Sequence, residues 1–192
     1  MPVDLATVVA ETLELIRGSL PAGIRLEVRA SEAPLVLIGD ATQLHQVAMN
    51  LCSNAIQAMS TGGTLRVTLE AAELPAQALS HGTLEPGRYV RLIVADSGSG
   101  MDENILARIF EPFFTTKEVG KGTGLGLSLV HAIITDSGGA IDVQSAPQQG
   151  STFTIYLPQS QVTLAAPEAA AAAPILQGLH IQKQQNQVRL FA

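Results

Sequence analysis

One aspartate and two glycine clusters carry the clearest chemical signal in the chain. Asp96-Ser97-Gly98-Ser99-Gly100-Met101 follows an apolar run, and about twenty residues later Gly120-Lys121-Gly122-Thr123-Gly124-Leu125-Gly126-Leu127 opens a helical pattern. An ionised carboxylate only accepts hydrogen bonds, which suits it to a ligand amine such as the exocyclic amine of adenine. Glycines lack a Cβ, so their amides can approach phosphate oxygens closely. A helix that starts inside such a cluster also turns the positive end of its dipole to the same place. The two clusters read as opposite ends of a nucleotide pocket, with a lid between Asp102 and Leu127 that orders when nucleotide binds.

Two further groups are spaced to serve such a pocket. Over residues 41–59, Leu44, Ala48, Leu51, Ala55 and Met59 fall on one side of a helix, and Gln43, Gln46, Asn50, Asn54 and Gln57 fall on another. An amide stripe is either a solvated face or a set of oxygen ligands for a hard cation. Two asparagines one turn apart, both mediocre helix formers, point to Mg²⁺ shared with phosphates. Between the glycine clusters runs Ile109-Phe110-Glu111-Pro112-Phe113-Phe114-Thr115-Thr116-Lys117. Its aromatics are either a core patch or the anchors of an irregular lid, and Pro112 with the following glycines speaks against a regular helix there. Thr115, Thr116 and Lys117 supply polar groups for phosphate; Lys117 either neutralises a terminal phosphate or is a solvated surface lysine.

These groups need a frame. Leu5, Val8, Val9, Leu13 and Ile16 predict a helix within residues 3–20, stopped by Pro21 and Gly23. Residues 24–28 and 35–38 read as short strands, after which Asp40 and Gln43 form a capping box for the amide helix. Gly62 and Gly63 end that helix and open a strand in which Leu65, Val67 and Leu69 alternate with polar residues. Residues 71–87 read as a variable loop joining two antiparallel strands, and residues 89–95 as a central strand that delivers Asp96 at its end. A short helix at 103–109, a helix at 125–136 stopped by Gly138-Gly139, and strands at 140–145 and 152–157 complete the domain. Ala/Pro-rich residues beyond Pro158 read as a linker. The expected division is a leading helical segment at 1–23, a nucleotide-binding domain at 24–158, a linker at 159–174 and a tail at 175–192.

Composition removes several function classes. With 192 residues, 46% of them hydrophobic and 15% charged, the chain can bury one core but hardly two. A net charge of -6 argues against nonspecific nucleic-acid binding, which needs a basic field. The longest apolar runs fall far short of a membrane span, and the first residues lack a signal-peptide layout. Cys52 is the only cysteine, so an internal disulfide and a multi-cysteine metal site are both ruled out, and a reducing, cytoplasmic setting fits. No Walker-type Gly-x-x-x-x-Gly-Lys-Ser/Thr occurs, which excludes an ordinary P-loop site.

Four ordered boxes resemble those of the sensor histidine kinase ATP-binding domain. They are His45-Gln46-Val47-Ala48-Met49-Asn50-Leu51-Cys52-Ser53-Asn54-Ala55, the Asp96 cluster, the run from Ile109 to Lys117, and Gly122-Thr123-Gly124-Leu125-Gly126-Leu127-Ser128. The resemblance covers roughly residues 24–158. It implies a two-layer α/β sandwich of the Bergerat type, a mixed and largely antiparallel sheet with helices on one face, shared with the gyrase, Hsp90 and MutL ATPases. It also implies ATP and Mg²⁺ as cofactors. Asp96 would bind the adenine amine, Asn54 would coordinate Mg²⁺, and Asn50 would assist at the metal or phosphates, with Asn50 and Lys117 taking part in catalysis. The wider contact set it implies is Gly98, Gly100, Met101, Phe110, Phe114, Thr116, Lys121, Gly122, Thr123, Gly124, Leu125, Gly126 and Leu127, with Thr152 of Gly150-Ser151-Thr152-Phe153 as a late adenine-pocket residue.

The chain departs from the family in two places. Gln57 stands where many relatives carry a basic residue, which shifts phosphate neutralisation to Lys117, Lys121 and Mg²⁺. No histidine has the context of a phosphoacceptor: His45 and His131 lie in helical patterns with structural roles, His81 lies in the variable loop and His180 in the tail. The expectation is therefore a catalytic half. It would pass a γ-phosphoryl group to a histidine on a separate dimerisation domain, within a homodimeric parent that serves a response regulator receiver domain. For this fragment neither nucleic acid nor membrane is an expected partner, and the parent protein is open to a membrane anchor. Two other classes share parts of this pattern: an anti-sigma-type serine kinase, which the phenylalanine run fits poorly, and a catalytically silent nucleotide-binding module.

Overall fold

The computed structural model describes residues 1–31, 33–117 and 122–162. Lys121, His180 and most of the proposed linker and tail lie outside those residues. The chain opens with a short strand β1 (Pro2–Asp4) and helix α1 (Leu5–Arg17), whose N-cap Asp4 accepts a hydrogen bond from the Ala6 amide. Strand β2 (Ile24–Ala30) and the brief β3 (Val36–Ile38) precede α2 (Ala41–Ala58). The Asp40 side chain caps α2 by accepting from the Thr42 and Gln43 amides, which satisfies donors that a helix start leaves unpaired.

Strand β4 (Gly63–Leu74) follows, then a small hairpin of β5 (Gln77–Leu79) and β6 (Gly82–Leu84), then β7 (Gly87–Asp96). A one-turn helix α3 (Glu103–Leu106), the helix α4 (Gly126–Asp136) and strands β8 (Ala140–Ser145) and β9 (Ser151–Pro158) complete it. The main sheet has the order β2-β4-β7-β9-β8, with β2 and β4 parallel and every other neighbour antiparallel. This is the expected mixed, largely antiparallel architecture.

The period-2 pattern of the strands decides which face is covered. Leu65, Val67 and Leu69 of β4, Val90, Leu92 and Val94 of β7, and Phe153, Ile155 and Leu157 of β9 are buried in one apolar cluster with residues of α1, α2 and α4. Their polar neighbours face the other way, where Arg66 pairs with Glu27 at 3.1 Å and Arg91 pairs with Glu70.

Two segments differ from the expectation. Residues 1–23, read as a segment leading into the domain, are packed into its core: Leu5, Val9 and Leu13 are fully buried, and β1 pairs antiparallel with β3. A hydrogen-bonded bridge adds to this, since His45 Nδ1 of α2 lies 2.8 Å from Thr12 Oγ1 and His45 Nε2 lies 2.9 Å from Glu11 Oε2 on α1. Residues 71–87, read as a loop, extend β4 and β7 into register as far as Leu74 and Gly87 before the β5–β6 hairpin turns. The tip of the hairpin lies along the outer edge of β8. There the Val143 amide donates to Ser80 Oγ at 2.8 Å, and His81 bridges Ile141.

Candidate nucleotide-binding site

The cleft lies between α2, the end of β7 and the start of α4, and holds a volume of about 620 Å³. The amide stripe of α2 forms one wall, because the helix buries Leu44, Ala48, Leu51 and Ala55 against the sheet and leaves Asn50, Ser53, Asn54 and Gln57 turned to the cleft. Asp96 stands at the end of β7, level with Ser151 across the sheet. Its Oδ1 accepts from the Gly98 amide at 2.8 Å, and the Ser151 backbone N–H also donates to the carboxylate. Burial pushes the Asp96 pKa up, and those two amides partly offset the rise. A carboxylate has about four acceptor sites, so two remain for a ligand donor. Met101, Ile105, Ile109, Leu127 and Phe153 add an apolar lining suited to a flat base.

Close backbone packing holds the Asp96 loop in place. The Ser99 amide donates to Ala58 O at the end of α2 (3.1 Å), and a Cβ on Gly98 would sit 2.5 Å from that same oxygen. Gly100 has φ +64, and a Cβ there would lie 1.9 Å from Ala146 O. Only glycine meets both demands at position 100.

The other end of the cleft is built by the phenylalanine run and the second glycine cluster. Phe113 takes φ 66 with its side chain 74% exposed, a costly conformation for a bulky residue, and its amide donates to Gly124 O at 2.9 Å. Gly124 has φ +67, with no room for a Cβ against the Phe113 backbone. Phe114 faces the cleft with the Arg108 guanidinium 4.3 Å above its ring. Helix α4 starts without a side-chain cap, and Gly126 and Leu127 of its first turn line the cleft, so its unpaired amides suit an anion. Lys117 Nζ reaches across to α2, donating to Asn54 Oδ1 at 3.2 Å and to Gln57 Oε1. Burial lowers the Lys117 pKa. Among the described residues no cluster of three or more His, Cys, Asp or Glu could hold a metal. On the α2 wall of the cleft the described side chains offer the amide oxygens of Asn50 and Asn54, and Asn54 already turns its oxygen to a positive charge. That donor set fits a hard cation whose remaining ligands are phosphate oxygens.

Most of the expected contact residues converge. Asn50, Asn54, Asp96, Gly100, Met101, Phe114, Thr116, Lys117, Gly122, Thr123, Gly124, Gly126 and Leu127 all line the cleft. Four others do not. Gly98 supports Asp96 from behind through its amide. Leu125 is 42% exposed, at the N-cap of α4. Phe110 packs between His81 and His131, with ring centroids 4.6 and 5.0 Å away. Thr152 is out by one residue: Ser151 and Phe153 line the cleft, and strand alternation turns Thr152 to the opposite face. Sequence reasoning passed over Ser151, although its period-2 relation to the apolar Phe153 marks it as the inward residue.

Residues 39–161 match the family described as histidine kinase-, DNA gyrase B-, and HSP90-like ATPase. The chain belongs to this ATPase family. Within it the chain resembles sensor kinases: it is 40% identical over 174 residues to the sensor kinase CckA of Brucella abortus, covering 89% of this chain and 18% of that protein. It is 38% identical over 157 residues to the sensor histidine kinase ZraS of Escherichia coli, covering 81% and 30%. The chain thus spans less than a third of the length of these curated relatives. Full-length ShkA, solved in complex with AMPPNP, superposes with a TM-score of 0.66 at 30% identity, covering 87% of this chain and 32% of that one. The catalytic domain of the histidine kinase ThkA superposes with a TM-score of 0.66 at 30% identity, covering 83% of this chain and 95% of that one, and among the described residues no helix is long and apolar enough to cross a membrane.

Proposed function

We propose that the chain binds Mg-ATP in this cleft and presents its γ-phosphoryl group to a histidine on a separate dimerisation domain of a two-component sensor kinase. The observation that carries the reading is the pairing, in one cleft, of a backbone-held Asp96 carboxylate with the uncapped start of α4. Asp96 accepts from the adenine amine, and the apolar lining around Met101 and Phe153 takes the base. The first-turn amides of α4 and the Lys117 ammonium meet the phosphates, and the amide oxygens of Asn54 and Asn50 hold the metal. Bound Mg²⁺ supplies charge neutralisation to the polyphosphate, in keeping with a reaction that depends on positioning more than on covalent help from the protein.

The engagement of the three described histidines supports an acceptor on another domain. His45 is engaged by Thr12 and Glu11, while His81 and His131 flank Phe110. The receiving histidine, a downstream receiver domain, a homodimeric parent and a cytoplasmic location for this part complete the proposal.

The test supplies γ-labelled ATP and Mg²⁺ to the chain together with a separately produced acceptor-histidine domain from its parent. Acid-labile label on the acceptor, absent when Asp96→Asn replaces the wild type, is the expected result. Tight ATP binding with no transfer to that acceptor would refute the kinase reading and leave a nucleotide-binding module.

A further inference from the structure

The Lys117–Gln57 contact is not accounted for by the ATP site alone. The Lys117 Nζ crosses to α2, where it donates to both Asn54 Oδ1 and Gln57 Oε1. Asn54 is also the residue assigned above to the metal. An oxygen engaged by an ammonium has lost part of its capacity for a second cation, and two positive charges on one amide repel. Gln57 lies three residues beyond Asn54 on the same helix face; its amide nitrogen donates to Ser53 Oγ at 3.3 Å, which leaves its oxygen turned to the ammonium and holds the ammonium at that place. The same strap is tied elsewhere: the Lys117 amide donates to Thr115 Oγ1 at 3.2 Å, and Gly122 packs against Thr115 and Lys117 so closely that a Cβ would lie 2.7 Å from Thr115 Oγ1.

We infer that Gln57 is a positioning residue that parks the Lys117 ammonium on Asn54 in the nucleotide-free protein, so that a divalent cation must displace it and thereby frees Lys117 for the phosphates. Gln57 then sets how much Mg²⁺ the site requires. The inference rests on the proposed Mg-ATP reading for the displacement step, whereas the parking itself exists without nucleotide.

The experiment compares the full chain with Gln57→Leu, Gln57→Glu and Lys117→Met. The first readout is amide hydrogen exchange of residues 113–117 with neither nucleotide nor metal present. Gln57→Leu and Lys117→Met should speed it by roughly 3- to 10-fold, the scale of one hydrogen bond to a charged group at a partly exposed site, while Gln57→Glu, which keeps the acceptor and adds charge, should slow it below wild type. Unchanged protection in β7 and α4 shows that the fold is intact. The second readout is the Mg²⁺ concentration that half-saturates binding of a non-hydrolysable ATP analogue, which should fall by roughly 2- to 5-fold in Gln57→Leu as the competing ammonium is released. Equal exchange in Gln57→Leu and wild type would overturn the parking, and a Mg²⁺ midpoint that stays level or rises would overturn the displacement. If the analogue binds the wild type at no Mg²⁺ concentration, the Mg-ATP reading fails and the displacement step with it, while the nucleotide-free exchange still decides whether Gln57 holds Lys117.

Discussion

Replacing Asp96 with asparagine changes one oxygen to an NH₂ group at nearly constant volume, and the surroundings of Asp96 set the outcome. Two donors, the Gly98 and Ser151 amides, already point at the carboxylate. Asparagine has a single oxygen, so its NH₂ must face either one of those amides or the adenine amine, donor against donor. The adenine contact loses a charge-assisted hydrogen bond worth about 1.5–3 kcal/mol, which is about 10- to 150-fold in affinity for a non-hydrolysable ATP analogue measured by calorimetry. Guanine presents an acceptor where adenine presents the amine, so the preference for ATP over GTP should shrink in Asp96→Asn. Stability should respond in the opposite sense. Because burial raises the Asp96 pKa above 3.8 in the folded chain, ionisation is harder there than in the unfolded chain, and this group's contribution to stability declines as pH rises from 3.8 through the raised value. In urea titrations across that window the variant should gain on the wild type, then keep a constant difference at higher pH. Binding of the ATP analogue by Asp96→Asn within about threefold of wild type, with unchanged base preference, would refute the assignment of Asp96 to the adenine amine.

Three further outcomes test the frame around it. Gly100→Ala should cost about 3 kcal/mol or more, from the left-handed backbone together with a Cβ placed 1.9 Å from Ala146 O, read as a lowered urea midpoint. Ser151→Val should weaken binding of the ATP analogue by about tenfold, whereas Thr152→Val, on the far face of β9, should leave it within about twofold; equal effects would reverse the corrected register. His45→Leu removes the polar bridge to Thr12 and Glu11 and should lower stability by about 1–2 kcal/mol in thermal unfolding without altering the ATP-to-GTP preference.

The parts legible in the sequence are those whose cause is local. Helix α2 announces itself by a capping aspartate, a long 3.6-residue period and two terminal glycines, and with it come Asn50 and Asn54 on one face. Strand β7 is an apolar run that ends on Asp96. What stayed hidden depends on partners far along the chain. The β5–β6 hairpin is fixed by contacts between Ser80 or His81 and β8, about sixty residues away, which no window of composition contains. The three phenylalanines of residues 110–114 look equivalent in sequence, yet Phe114 faces the cleft, Phe113 faces solvent and Phe110 packs on two histidines. Thr152 and Ser151 differ by one residue, and in a strand that inverts the face. The period of helix α1 marks it as amphipathic, but its burial against α2 depends on a tertiary partner that a periodicity cannot name.

The hairpin tip on β8 bears on how this domain stays dispersed. Strand β8 is the last strand of the main sheet, and an open outer edge offers a ladder of amides and carbonyls to any other strand, including β8 of a second copy. Ser80 and His81 take up part of that ladder, with the Ile141 carbonyl accepting from the His81 amide at 3.2 Å and the Val143 amide donating to Ser80 Oγ. A shortened loop would expose a template for edge-to-edge association and would also take His81 away from Phe110, whose run builds one end of the cleft, so residues 75–86 tie the guarded sheet edge to the nucleotide site.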